Sequence, residues 1–457
     1  MKVVTRVVLA LVLLAVVALV IARSYYRPDR IAAGLVAHHV CNALYVAGRD
    51  PDATFRELVA PIIGEPAIRL FDYRVDATAK SVHATALGFD RARADFMPGY
   101  GCRLAFDDND PAPPPRAAAT PPPADDFAPD AVVQTGDPAL AAAIDRVFVE
   151  NPQEKTKDVK AVVIVRDGHV IAERYARGYG IDTPLLSYSV AKSFTNALVG
   201  LLVRDGKLDV TKPLGAPEWQ RPDDPRARIT IEDLMRMRSG LDVTEAESAF
   251  SPVARMEFLH ADMAGFAAQG GLQAPVGAVF DYTSANTLLV DRLVGRTIGG
   301  GPAGLVDFAQ RELFAPLHMR DVTMEIDGRG TFVGASHLWA PARSFARFAE
   351  LYLDDGVTRD GHRLLPEGWV AWSKRSTLGT GYGAGFFTNE GSDRFTAYRI
   401  RSGFPKDGFF ASGNLGQRLY IVPSAHLVVA RFGYSRPPDF GIDDDLALIK
   451  AAIDATR

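Results

Sequence analysis

The stretch LSYSVAKSF, residues 186–194, leads into an apolar segment that stops at Asp205-Gly206. Its pattern predicts a helix over 190–204. Ser189 and Lys192 are three residues apart, so such a helix places both side chains on one face. An alcohol becomes a good nucleophile when a base removes its proton, and burial near a helix N-terminus favours the neutral amine that does so. Ser-x-x-Lys also arises by chance in long chains, so this interpretation depends on the rest of the sequence.

Two further polar stretches stand beside predicted elements. The stretch FDYTSAN, residues 280–286, precedes a helix predicted over 285–294, and ASGNLGQ, residues 411–417, precedes a strand predicted over 418–422. With Ser-x-x-Lys they resemble, in order, the three motifs of the serine β-lactamase and penicillin-recognising hydrolase superfamily. The resemblance is strongest to its class C β-lactamase-related branch, which includes esterases and 6-aminohexanoate-dimer hydrolase. It covers residues 131–457.

This resemblance implies a fold and a set of roles. The fold is α/β and β-lactamase-like: an antiparallel sheet flanked by helices, plus a helical subdomain. Ser189 is the implied nucleophile, Lys192 its base, and Tyr282 a second base that passes protons to the leaving group. The oxyanion would be held by the backbone N–H groups of Ser189 and Gln417, with the register of Gln417 less secure. The reaction would proceed through an acyl-enzyme.

The sequence departs from the β-lactamase pattern at two positions. Asn414 stands where those enzymes have a lysine that attracts a substrate carboxylate. Ser284 replaces the usual asparagine, which shortens a group that would bind a substrate amide. With Gly416, both are expected to line the substrate site. These changes favour a small ester or amide over a penicillin.

Periodicity alone outlines the larger domain. Strands predicted at both ends enclose a helical middle, which favours an α/β domain with a helical insertion. The predicted strands are 159–165, 169–175, 418–422 and 427–432, and the predicted helices are 138–149, 190–204, 231–237, 285–294, 305–313, 342–353 and 443–453.

Composition narrows the class of protein. The 457 residues carry a formal net charge of -4 with 47% hydrophobic residues. This composition excludes a disordered chain and a multi-span membrane protein. Lys and Arg do not cluster into the basic stripe of a nucleic-acid-binding protein, so nucleic acid is not expected as a partner. The nine histidines lack the spacing of metal ligands, so no metal is expected and no cofactor is required. The oligomeric state stays open.

The N-terminal region predicts export. Lys2 and Arg6 precede an apolar run over 7–22, so residues 1–22 are a signal peptide or, as we favour, an uncleaved membrane anchor. The catalytic domain would then lie in the periplasm or outside the cell. After signal cleavage it would be secreted or periplasmic.

Three segments divide the rest of the chain. Residues 31–106 form a predicted small mixed domain, 107–130 a Pro-rich linker, and 131–457 the hydrolase. Cys41 and Cys102 are expected to pair in an oxidising compartment, with two buried thiols as the alternative.

Two other functions remain open from the sequence. One is a D,D-peptidase or β-lactamase of the cell envelope, which the missing lysine at Asn414 disfavours. The other is a non-catalytic binding or sensor protein on the same fold. The intact set of Ser189, Lys192 and Tyr282 disfavours it, because a binder does not need an activated serine.

Overall fold

The computed structural model describes residues 25–106, 113–116, 125–150, 156–246, 248–438 and 440–455. Within those ranges, no helix combines the length and the apolar character needed to cross a membrane. The segment predicted as a signal or anchor, 1–22, lies outside the described residues, as does most of the predicted linker.

The N-terminal domain is one long helix packed on a four-stranded antiparallel sheet. Its elements are α1 (Pro28–Tyr45), β1 (Phe71–Asp76), β2 (Ser81–Ala86), β3 (Phe89–Met97) and β4 (Gly101–Leu104), and the strand order is β1-β2-β3-β4. A helical stretch, Pro51–Thr54, Phe55–Val59 and Ala60–Ile63, covers one side. Cys41 of the helix and Cys102 of β4 form a disulfide, as predicted.

The larger domain is built on a six-stranded antiparallel sheet, with a smaller three-stranded sheet beside it. In chain order the elements are α2 (Pro138–Phe148), β5 (Val159–Arg166), β6 (His169–Tyr175), β7 (Leu185–Leu186), α3 (Ala191–Arg204), α4 (Ile231–Met235), α5 (Pro252–Leu259), α6 (Met263–Ala268), α7 (Ser284–Ile298), α8 (Gly301–Ala309), β8 (Thr323–Met324), β9 (Leu338–Ala340), α9 (Ala342–Leu353), α10 (Trp369–Lys374), β10 (Phe387–Thr388), α11 (Arg394–Arg401), β11 (Phe409–Gly413), β12 (Gln417–Val422), β13 (Leu427–Gly433) and α12 (Ile442–Asp454). The strand order is β10-β11-β12-β13-β5-β6 in the main sheet and β7-β9-β8 in the smaller one.

Helices cover both faces of the main sheet. Along β5, Val163 and Val165 face the core that contains α3 and α9, whereas Val162 and Ile164 face the core that contains α2 and α12. Successive side chains of a strand point to opposite faces, so a strand covered on both sides has an unbroken apolar sequence. The predicted α/β class and β-lactamase-like arrangement therefore agree with the structure.

The end of the predicted linker is part of the larger domain. Phe127 is 1% exposed and belongs to its main core. The Arg347 guanidinium lies 4.0 Å from the Phe127 ring centroid and makes two hydrogen bonds of 2.7 and 2.6 Å to the Asp125 carboxylate. The spacer predicted over 107–130 therefore does not extend through residues 125–130, because these contacts fix its last residues to the hydrolase domain.

Candidate active site

The predicted nucleophile begins a helix. Ser189 lies in a 3-10 turn, Tyr188–Val190, that continues directly into α3. Lys192 follows one turn later, and its Nζ lies 2.9 Å from Ser189 Oγ. The structure thus brings together the serine and lysine that the sequence pattern pairs.

Lys192 is buried, with 3% of its surface exposed. Its Nζ also lies 3.1 Å from Ser284 Oγ and 2.7 Å from the Ala335 carbonyl oxygen. Burial lowers the pKa of Lys192, and the charges of nearby carboxylates oppose that effect without cancelling it. The side chain is therefore suited to hold a neutral amine beside the serine.

Tyr282 lies beside the same pair of residues, at the N-terminal end of α7. Thr283 caps α7, and Tyr282 immediately precedes it. Its ring centroid lies 5.0 Å from Lys192 Nζ, and an interaction with the Ser189 side chain opposes part of the effect of burial on its pKa. Burial raises the pKa of Tyr282 above its usual value. Because both shifts disfavour buried ions, the pair of neutral lysine and neutral tyrosine is favoured over lysinium and tyrosinate.

Ser284, predicted to contact substrate, lies against Lys192. It is 2% exposed. Its Oγ lies 3.1 Å from Lys192 Nζ, and its backbone N–H donates to Glu245 Oε2 at 2.5 Å. Ser284 therefore links Lys192 to Glu245 inside the protein.

Two carboxylates, Glu245 and Glu257, lie near the site in the helical insertion over 241–278, and no sequence pattern predicted either. Glu245 accepts the Ser284 N–H. Glu257 on α5 accepts a hydrogen bond from Ser336 Oγ at 3.1 Å, and burial raises its pKa to about 7. No sequence motif marks this insertion, so these two residues can be found only from their position in the folded structure. Their charge opposes binding of an anionic group near Lys192.

The third motif contacts the turn of the predicted nucleophile through a glycine. Gly413 ends β11, and a Cβ added there would collide with the Ser187 carbonyl oxygen and lie 3.0 Å from Ser189 N. Glycine is required because the two backbones approach too closely for any side chain. Gly413 is therefore the residue of this motif that approaches the turn of Ser189, and Asn414 follows it directly.

The predicted roles of Gln417 and Gly416 do not fit this geometry. Gln417 lies on β12, one strand further into the sheet, where it pairs with Gly413. Its side-chain amide donates to the carbonyl oxygens of Asn414 at 3.0 Å and Gly433 at 2.5 Å. Gly416 packs on buried Arg431, whose Nη1 donates to the Gly416 carbonyl oxygen at 2.7 Å. Both residues support the turn between β11 and β12. The predicted strand over 418–422 matches β12 to within one residue, whereas β11 was not predicted.

Comparison with known proteins gives the family. Residues 144–452 match the family model described as Beta-lactamase. The chain belongs to this family. It is 25% identical over 362 residues to the 6-aminohexanoate-dimer hydrolase of Paenarthrobacter ureafaciens, which covers 72% of this chain and 90% of that protein.

Solved structures of the same superfamily share the fold. A penicillin-binding protein homologue from Caulobacter crescentus matches with a TM-score of 0.53 and 17% identity over 70% of this chain and 99% of that one. A family VIII carboxylesterase matches with a TM-score of 0.51 and 12% identity, over 70% and 100% of the two chains. The predicted superfamily is confirmed, and the chain is a β-lactamase-fold hydrolase related to these proteins.

In this β-lactamase-family protein, the N-terminal domain contacts the segments that form the site. Glu325, from the hydrolase domain, accepts hydrogen bonds from His38 Nε2 at 2.5 Å, Asn42 Nδ2 at 3.3 Å and the indole N–H of Trp339. The His337 ring stacks on His38 with centroids 4.4 Å apart. These positions are nearly 300 residues apart in sequence (287 between His38 and Glu325), so spacing could not predict the cluster.

The ligating atoms of His38, Glu325 and His337 lie within 4.8 Å of one another, a grouping that could hold a metal ion. Two ligands of one tetrahedral zinc ion are about 3.3 Å apart when each sits roughly 2 Å from it. The 2.5 Å between His38 Nε2 and Glu325 Oε2 is instead a hydrogen-bond distance. Three N–H donors already occupy the carboxylate. We interpret the cluster as a hydrogen-bond network joining the two domains.

Proposed function

We propose that the protein is an exported serine hydrolase that cleaves a small ester or amide through an acyl-enzyme on Ser189. The observation that carries this proposal is the meeting of three side chains. Lys192 Nζ lies 2.9 Å from Ser189 Oγ, and the ring centroid of Tyr282 lies 5.0 Å from the same Nζ. A binding protein has no need for a buried, neutral amine beside a serine hydroxyl.

Acylation would use these groups in turn. The neutral Lys192 amine takes the Ser189 proton while Oγ forms a bond to the substrate carbonyl carbon. The resulting oxyanion would accept hydrogen bonds from the backbone N–H of Ser189 and from that of Asn414, the peptide that follows Gly413. Tyr282 gives its proton to the leaving oxygen or nitrogen as the bond to carbon breaks, and recovers one from Lys192.

Deacylation would reverse these roles with water as the nucleophile. The water loses a proton to the Tyr282 and Lys192 pair as its oxygen attacks the acyl carbon. Ser189 leaves with a proton from the same pair. The sum is one ester or amide plus one water giving one acid plus one alcohol or amine.

Charge around the site supports a preference against anionic substrates. With Gly413 as the glycine of the third motif, Ala411 takes the position of the lysine that would bind a penicillin carboxylate. Glu245 and Glu257 lie near Lys192. The named relatives include a 6-aminohexanoate-dimer hydrolase and a carboxylesterase, which supports a small amide or ester as the substrate class. We therefore propose weak or absent β-lactamase activity.

Export is supported by two observations. The Cys41–Cys102 disulfide suits an oxidising compartment. The charged and then apolar order of residues 1–22 suits a signal peptide or anchor. We propose an uncleaved N-terminal segment that attaches the hydrolase to the membrane.

A fluorophosphonate probe tests the serine. It should label the wild-type protein and a Ser193→Ala control, whose lost hydroxyl lies on the same helix but donates to the Gly385 carbonyl oxygen at 2.6 Å. Labelling should disappear in Ser189→Ala. Failure of the folded wild type to label would instead support a binding or sensor protein.

Turnover assays test the substrate class. The purified protein should hydrolyse p-nitrophenyl esters of short acyl chains or p-nitroanilides of small acids. Nitrocefin should be turned over slowly or not at all. Efficient nitrocefin hydrolysis, or release of D-alanine from cell-wall peptides without esterase activity, would overturn the proposed substrate class.

A further inference from the structure

Helix α1 of the N-terminal domain touches the turn that carries the nucleophile. His39 Nε2 lies 3.1 Å from the hydroxyl of Tyr188, the residue immediately before Ser189. The other ring nitrogen, Nδ1, lies 3.0 Å from the Leu35 carbonyl oxygen of the same helix. A carbonyl oxygen can only accept, so Nδ1 carries the proton and Nε2 is the acceptor for the Tyr188 O–H.

Burial keeps this arrangement in one protonation state. His39 is 2% exposed. Burial, with the neighbouring His38 and His337, lowers its pKa to about 3. The imidazole is therefore neutral across the range in which the enzyme would work, and its Nε2 lone pair remains available to Tyr188.

The turn held by this bond is strained. Tyr188 has φ 43°, in the left-handed region that residues with a side chain seldom occupy. Such a conformation is unfavourable and persists when its surroundings fix it. On one side, Ser187 is fixed by its backbone N–H to the Leu338 carbonyl oxygen at 2.8 Å. On the other side Gly413 packs against the backbone.

The same helix also contacts the segment behind Lys192. The Ala335 carbonyl oxygen accepts a hydrogen bond from Lys192 Nζ at 2.7 Å. Two residues later, His337 stacks on His38 of α1. Helix α1 therefore lies against both the Ser189 turn and the segment just before β9 that gives Lys192 its acceptor.

We propose that the N-terminal domain is a positioning part of the active site: His39 accepts the Tyr188 hydroxyl and so holds the Ser189 turn in its reactive conformation. This inference rests on the proposed hydrolase function. It gives the N-terminal domain a role in catalysis without contact with substrate, and it assigns His39 and Tyr188 as positioning residues.

The test is a double-mutant cycle in the full-length protein. Its variants are His39→Leu, Tyr188→Phe, the double variant and the conservative His39→Gln, whose amide oxygen can still accept the phenol. The readouts are the rate of acylation by the fluorophosphonate probe and the melting temperature. A single hydrogen bond corresponds to about a 3- to 10-fold change in rate, so His39→Leu and Tyr188→Phe should each slow acylation by about that factor.

The cycle separates positioning from general stability. The double variant should be no slower than the slower single variant, because both changes remove one bond. His39→Gln should return acylation to within about 2-fold of wild type. Glu57→Gln, which weakens a remote interdomain ion pair of 2.8 Å to Lys160, should leave the acylation rate unchanged.

Other outcomes would overturn the inference. Additive losses in the double variant, or an unchanged acylation rate with a lower melting temperature, would show that the His39 contact only stabilises the fold. An unlabelled but folded wild type would remove the hydrolase function itself and the positioning role with it. That result is distinct because every variant would then be equally unlabelled.

Discussion

Removing the disulfide should loosen the N-terminal domain by a calculable amount. Cys41 and Cys102 are separated by 61 residues. The chain-entropy relation for a loop of that length gives about 14 cal/mol/K, or about 4 kcal/mol at 25 °C. The perturbation is made in two ways: reduction of the wild type, and the double change Cys41→Ala with Cys102→Ala. Both should give the same loss, because both open the same loop.

Hydrogen exchange followed by mass spectrometry can localise this loss. A change of about 4 kcal/mol corresponds to about a thousandfold lower protection, since each 1.4 kcal/mol is a factor of ten. Peptides from α1 and β4 should lose about that much protection, while peptides from β5 and β13 in the main sheet serve as internal controls. A loss below about tenfold in α1 and β4, or an equal loss in the control strands, would show that the disulfide does not stabilise the N-terminal domain by this amount.

Three further predictions concern the site and its support. The rate of acylation should fall as the pH drops through the lowered pKa of Lys192, because only the neutral amine accepts a proton. Above pH 7 Glu257 is ionised, and its charge favours the lysinium. Glu257→Gln removes that charge and should shift the acidic limb of the rate profile to lower pH. Asp445→Ala, which leaves the buried guanidiniums it pairs with uncompensated, should lower the free energy of urea unfolding by about 3–5 kcal/mol. Gly413→Ala should slow acylation at least about tenfold through its clash with the nucleophile turn, whereas Gly271→Ala, with open space around its Cβ position, should not.

Local patterns predicted much of the larger domain. The predicted helix 342–353 and strand 169–175 match α9 and β6 residue for residue. Amphipathic helices and Asp-Gly hairpins leave such signals in short windows of sequence. The spacing of Ser189 and Lys192 likewise predicted that the two side chains meet, because residues three apart on a helix lie on the same face.

The remaining features depend on contacts between distant parts of the chain. β11 was missed because its short sequence, FFASG, has no clear alternation of apolar and polar residues. That error moved the third motif onto Gln417 instead of Gly413. Glu257 and His39 gain their surroundings only when the helical insertion and the N-terminal domain fold against α3, and no local pattern encodes such packing.

The proposed mechanism places the acyl group on Ser189. Acid quenching of the reaction with a p-nitrophenyl ester during turnover, followed by peptide mass spectrometry, locates that group. We expect it on the peptide that contains Ser189, at the oxygen 2.9 Å from Lys192 Nζ, and we expect none in Ser189→Ala. Continued hydrolysis by Ser189→Ala at the wild-type rate, or an acyl group on another residue, would contradict this mechanism.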